Sequence, residues 1–90
     1  MLSGVTERLS LYYSETCWYC ARVRQTSAEL GISLELRDID RDPKCRAELV
    51  AGGGKSQVPC LKIESGNGDI NWMYESADIA AFLTSKFKSE

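Results

Sequence analysis

The sequence predicts an α/β domain, a four-stranded mixed sheet flanked by three helices in the order β-α-β-α-β-β-α. Three observations carry this expectation. Two strand-like runs bracket a helical stripe within the length of one βαβ unit, so the first two strands should be parallel. Ser65-Gly66-Asn67-Gly68 has hairpin-turn chemistry, so the last two strands should be antiparallel. A final apolar stripe at helical spacing follows that hairpin. The 90 residues suffice for one compact domain, residues 1–90, and not for two.

The elements follow in order. Arg8 to Tyr13 alternates and is rich in strand formers. Ser14 and Thr16 are suited to starting a helix, whose inward stripe is Cys20, Val23, Ser27 and Leu30. Gly31 is a terminator for it. Ile32 to Ile39 alternates as the second strand. Asp42-Pro43 is a cap followed by proline at the first helical position, for a short helix to about Val50 or Ala51 that Gly52-Gly53-Gly54 ends. Val58 to Ile63 and Asp69 to Met73 are the hairpin strands. Ser76 caps the last helix, with Ile79, Ala80, Leu83 and Phe87 on its apolar face.

Composition narrows the function. The hydrophobic share is 43% and the charged share 27%, ordinary for a soluble globular protein. Thirteen acidic and eleven basic residues give a net charge of -2, which offers no reason to expect nucleic acid or an anionic membrane as partner. No apolar run approaches the roughly 20 residues of a membrane span. Met1 to Ser10 includes Glu7 and Arg8 and does not read as a secretory signal, so a cytoplasmic, reducing setting is expected. There, four cysteines point to catalysis, metal binding or simple burial rather than a disulfide framework. Histidine is absent, which removes imidazole-dependent hydrolysis and the commonest zinc ligand.

Cys17-Trp18-Tyr19-Cys20 sits at the junction of the first strand and first helix. Residues at i and i+3 are neighbours on a helix, so the two sulfurs can meet. At the helix N-terminus, unpaired N–H groups and the helix dipole favour negative charge, and a thiolate is the attacking species. Cys17 is therefore the expected nucleophile, and the more buried Cys20 the thiol that resolves the mixed disulfide. A zinc ribbon would need a second close pair, which Cys45 and Cys60 do not make, so no metal is expected.

With these residues in view, the chain resembles the glutaredoxins, the glutathione-linked branch of the thioredoxin fold. Cys17-Trp18-Tyr19-Cys20 is similar to the family's Cys-Pro-Tyr-Cys centre. Gln57-Val58-Pro59 is similar to its Thr-Val-Pro segment, and Tyr74-Glu75-Ser76-Ala77-Asp78-Ile79 to the strand-to-helix segment that completes the glutathione site. The resemblance implies a thioredoxin-like, glutaredoxin-type sheet and a cis Pro59 against the cysteine pair. It implies glutathione as co-substrate, with Tyr19 beside the tripeptide and Gln57, Val58 and Pro59 along it. The Val58 backbone would pair with its cysteinyl part like an added strand. Glu75 and Ser76 would hold its γ-glutamyl end. The implied activity is reduction of protein disulfides or protein–glutathione mixed disulfides by a monomer. Two alternatives are an electron donor served by thioredoxin reductase and a dimeric carrier of a glutathione-ligated iron–sulfur cluster.

Three features depart from that pattern. Trp18 replaces the usual proline, and an exposed docking surface is the reading favoured for it. Glu15 stands near where a basic residue is often found, and it would oppose both a Cys17 thiolate and an anionic ligand. Pro59-Cys60-Leu61 and Tyr74-Glu75-Ser76 are also similar to the N-terminal domain of glutathione transferases. The all-helical second domain of a transferase is not among these residues, so a complete transferase is not expected. Of the remaining groups, Cys60 is expected to be buried and Cys45 partly exposed. Lys55, Arg41 and Lys44 compete for the glycyl carboxylate of glutathione, and Trp72 is a packing residue. Gly54-Lys55-Ser56 lacks both the first glycine and the strand-to-helix context of a phosphate loop.

Overall fold

The computed structural model of the chain describes residues 7–87; residues 1–6, part of the segment expected not to be a leader, and 88–90 lie outside them. The elements are β1 (Arg8–Tyr13), α1 (Trp18–Glu29), β2 (Glu35–Asp38), α2 (Pro43–Gly53), β3 (Cys60–Glu64), β4 (Ile70–Met73) and α3 (Ser76–Phe87). The sheet order is β2-β1-β3-β4. β1 runs parallel to β2, with Leu11 opposite Leu36, and antiparallel to β3, with Leu11 opposite Leu61. β3 and β4 form the antiparallel hairpin. This is the thioredoxin-like arrangement.

The central strands are covered on both faces, so alternation sorts their side chains between two cores. Leu11 and Tyr13 of β1 and Leu61 and Ile63 of β3 meet Cys20 and Val23 of α1 and Ile79 and Leu83 of α3. Tyr12 and Cys60 point the other way, onto Cys45 and Leu49 of α2. Ser10, Leu11, Tyr12 and Tyr13 are consequently all buried.

Several boundaries differ from the sequence expectation, each for a local reason. Ser14 and Thr16 do not start α1. Their hydroxyls lie 3.0 Å apart, the Thr16 N–H donates to Ser14 Oγ, and the Cys17 N–H donates to the Ser14 carbonyl. They make a turn, and Cys17 becomes the N-cap. β2 is shorter than Ile32 to Ile39. Gly31 turns the chain at φ 73°, the Ile32 N–H bonds Ser27, and Ile32 and Leu34 pack on the core before the ladder begins. β3 begins at Cys60 rather than Val58, because Val58 and Pro59 sit in the bend before it. α2 continues through Gly52 and Gly53, and only Gly54, at φ 93°, ends it. In α3 the Glu75 carbonyl accepts the Ile79 N–H, so Ser76 is the first helical residue rather than the cap. Ala80 is half-buried and Phe87, the last residue of the helix, is exposed. Cys45 is buried, not partly exposed: in the first turn of α2 it faces Tyr12, Ile39 and Leu49.

Candidate active site: a cysteine pair beside a cleft

The site is assembled where β1 hands over to α1. Cys17 has extended backbone angles and its Sγ accepts the Cys20 N–H at 3.2 Å, one of the N–H groups a helix start leaves unpaired. A sulfur thus serves as the helix cap. Cys17 is half-buried and Cys20 fully buried, and all four cysteines are free thiols. Burial first, then a hydrogen bond with Cys17, push the Cys20 thiol up to about 12, while the Ser14 backbone and Arg24 pull against that rise. Cys20 therefore holds its proton at neutral pH.

The Val58–Pro59 bond is cis, as the resemblance implies. The Cys17 thiol lies 4.0 Å from the Val58 carbonyl oxygen, so this bend faces the sulfur directly. From there runs a cleft of about 260 Å³. Its walls bring together Tyr19 from α1, Gln57, Val58 and Pro59 from the bend, and Glu75 and Ser76 at the start of α3. A larger hollow of about 540 Å³ lies along β4 and α3, bordered by Met73 and Phe82; neither cysteine of the pair lines either hollow, but only the smaller one is walled by Val58, whose carbonyl faces Cys17.

Tyr74 also lines the cleft and was not among the candidate site residues. Its hydroxyl donates to the Lys55 carbonyl at 3.1 Å, and the Lys55 ammonium lies 4.8 Å from its ring centroid. Tyr74 thereby ties Lys55 to the cleft wall. The close approach needs Gly53, where a Cβ would fall 2.0 Å from the Tyr74 hydroxyl. Of the three cations considered for a ligand carboxylate, Lys55 is the one seen against a cleft residue, while Arg41 faces Asp38 at 3.7 Å. Within the sequence, the Gly-Gly-Gly run next to Lys55 is the one trace of this arrangement.

The remaining groups sort clearly. Glu15 is exposed and stands 3.9 Å from Arg24, so its charge has a partner on α1. Trp72 packs at 5.5 Å on Tyr12 and over Gly52, as expected of a packing residue. Cys60 is fully buried, and burial pushes its thiol up to about 11 although the Tyr74 hydroxyl and Met73 backbone counteract it. No described helix is long and apolar enough to cross a membrane.

These buried thiols contribute to the alkaline behaviour, together with Tyr12, whose hydroxyl is also pushed up, by burial and then by Glu48. The unfolded chain releases a thiol proton near 9.0, but the folded protein keeps it until about 11 at Cys60 and about 12 at Cys20. Stability is therefore full below pH 9 and falls as the pH rises through that window, by up to about 1.4 kcal/mol per pH unit per thiol. Urea unfolding at pH 8, 9.5 and 10.5 should show a falling midpoint, with a shallower fall in Cys20→Ala and Cys60→Ala. Equal slopes in all three proteins would remove the thiols as the cause.

Known proteins share this architecture. Residues 11–90 match the N-terminal domain family of the glutathione S-transferases. Glutaredoxin 3 of Escherichia coli (strain K12) is 30% identical over 57 residues, 63% of this chain and 69% of that protein. The maleylacetoacetate isomerase of Anaeromyxobacter dehalogenans 2CP-1, solved with GSH bound in its active site, superposes with a TM-score of 0.70 at 26% identity, over 91% of this chain and 38% of that one. The trimeric glutathione transferase TDR1 of Leishmania superposes at 0.71 with 29% identity, over 89% of this chain and 18% of its own. The chain thus spans well under half the length of these two solved proteins. Matched along residues 11–90 and related to glutaredoxin 3, it belongs to the glutathione S-transferase N-terminal domain family, a thioredoxin-fold family, and shares that fold with the glutaredoxins.

Proposed function

We propose that the protein is a glutathione-dependent thiol–disulfide oxidoreductase that reduces protein disulfides or protein–glutathione mixed disulfides in a reducing, cytoplasmic setting. The observation that carries this reading is the juxtaposition of a half-buried, N-capping Cys17 with a buried, protonated Cys20, where Cys17 faces the Val58 carbonyl that borders the cleft. The Cys17 thiolate attacks one sulfur of the substrate disulfide. That S–S bond breaks, and the other sulfur leaves as a thiolate. Cys20 then attacks Cys17 Sγ, passing its proton to the departing substrate thiolate, and a Cys17–Cys20 disulfide remains. Two glutathione molecules return the pair to dithiols and leave as glutathione disulfide. Glutathione would lie in the cleft, its cysteinyl backbone against Val58 and its γ-glutamyl carboxylate at the start of α3 beside Ser76. Lys55, tied down by Tyr74, is the cation available to its glycyl carboxylate.

Coupled assays with a small disulfide test the electron source. Glutathione with glutathione reductase should sustain NADPH oxidation, and thioredoxin reductase should sustain little. Turnover with thioredoxin reductase alone would overturn the glutathione assignment.

The match over residues 11–90 to a transferase domain favours one further reading, in which the thiolate of glutathione held in the cleft attacks the carbon of a small electrophile and a halide leaves with the electron pair. Glutathione consumption with an aryl halide and no disulfide present distinguishes it, since disulfide reduction predicts none.

A further inference from the structure

The two largest exposed side chains beside the nucleophile have no packing role. Trp18 is 64% exposed and Tyr19 58% exposed, and neither belongs to a core cluster. They are held in a defined arrangement, with the rings edge to face at 5.2 Å. Arg22 stands one helical turn beyond Trp18 on the same face, and its guanidinium lies 5.4 Å from the indole centroid. Among the described residues no carboxylate pairs with Arg22, whereas nearby Glu15 is engaged by Arg24. The result is an exposed aromatic surface with an unpaired positive charge, next in sequence to Cys17.

We propose that Trp18 and Arg22 dock the acidic polypeptide segment flanking the disulfide of a protein substrate, an inference that rests on the oxidoreductase reading. A substrate joined to Cys17 through its own cysteine must run across the adjoining surface. Extended chain advances about 3.3–3.6 Å per residue, so positions two or three from the linked cysteine reach the indole and guanidinium. Trp and Arg are the residue types that most often anchor such contacts. The free charge on Arg22 selects Asp or Glu at those positions, and the indole gains by losing water from its exposed face.

The test uses the Cys20→Ser variant, which stops at the mixed disulfide, and peptides whose single cysteine carries a 2-thiopyridyl group. Cys17 attacks the peptide sulfur, the peptide–pyridyl S–S bond breaks, and pyridine-2-thione leaves with the electron pair and reports the rate. One peptide has glutamates beside its cysteine, the other lysines. At low salt the glutamate peptide should react about 10-fold faster, and high salt should compress the difference. Adding Arg22→Glu should reverse the preference. Adding Trp18→Ala should slow both peptides by about 5–10-fold while leaving reaction with 2,2′-dipyridyl disulfide unchanged. Equal rates for the two peptides, or a Trp18→Ala loss as large on the small disulfide, would overturn the docking surface alone. No reaction even with the small disulfide would overturn the oxidoreductase reading and this proposal together.

Discussion

Cys17→Ser is expected to abolish disulfide reduction, to below about a thousandth of the wild-type rate, because no second group can replace the nucleophile. Cys20 is close by, yet burial and its hydrogen bond with Cys17 keep its thiol protonated up to about 12, so it cannot take over the attack. Without histidine in the chain there is no imidazole to deprotonate a serine at position 17.

The expectation for Cys20→Ser is different in kind. Reduction of a protein–glutathione mixed disulfide leaves glutathione on Cys17, and a second glutathione can remove it, so that activity should persist at tens of per cent. Reduction of a protein disulfide leaves the protein on Cys17 and needs the internal thiol, so that activity should fall by more than about 10-fold. The serine is not left stranded, since the Ser14 backbone that faces the Cys20 sulfur can serve its hydroxyl. Rates for a glutathionylated peptide and a protein disulfide, measured side by side on the three proteins, decide the matter. Equal survival of both single variants on both substrates would sink the division of roles.

Much of this was legible in the sequence because the cues were local. β1 has the expected bounds, Arg8–Tyr13, since its composition and both its ends are strand-like. The parallel pairing followed from the length of the strand–helix–strand unit, and the antiparallel one from the turn residues Ser65 to Gly68. What failed depended on contacts between distant segments. Ser14 and Thr16 are good caps by type, but Ser14 donates to Asp40 across the fold and Thr16 turns back on Ser14, which leaves the cap to a sulfur. Cys45 looked surface-bound on a short helix because the residue it faces, Tyr12, belongs to another element. Tyr74 was visible as part of a motif but not as a cleft residue, because its partners, Gly53 and Lys55, lie across the α2–β3 connection.

That connection makes Gly53 the position where one substitution should separate cleft shape from the thiol chemistry. In Gly53→Val the new Cβ would sit 2.0 Å from the Tyr74 hydroxyl and 3.0 Å from its ring. The ring must swing away, and its bond to the Lys55 carbonyl is lost with it. Overpacking of this kind costs about 1–3 kcal/mol of stability. The functional effect should exceed that of simple destabilisation, because Tyr74 is a wall of the cleft and holds Lys55 beside it. The KM for glutathione is expected to rise about 10-fold, the loss of one charge-assisted contact, while the rate at saturating glutathione changes little. Gly31→Ala is the matched control. Its φ of 73° makes a side chain strained there, yet no atom lies within 4 Å and the site is at the far end of α1 from Cys17. It should lose stability and keep the wild-type KM. A Gly53→Val protein that is destabilised but retains the wild-type KM would show that Tyr74 and Lys55 do not touch glutathione.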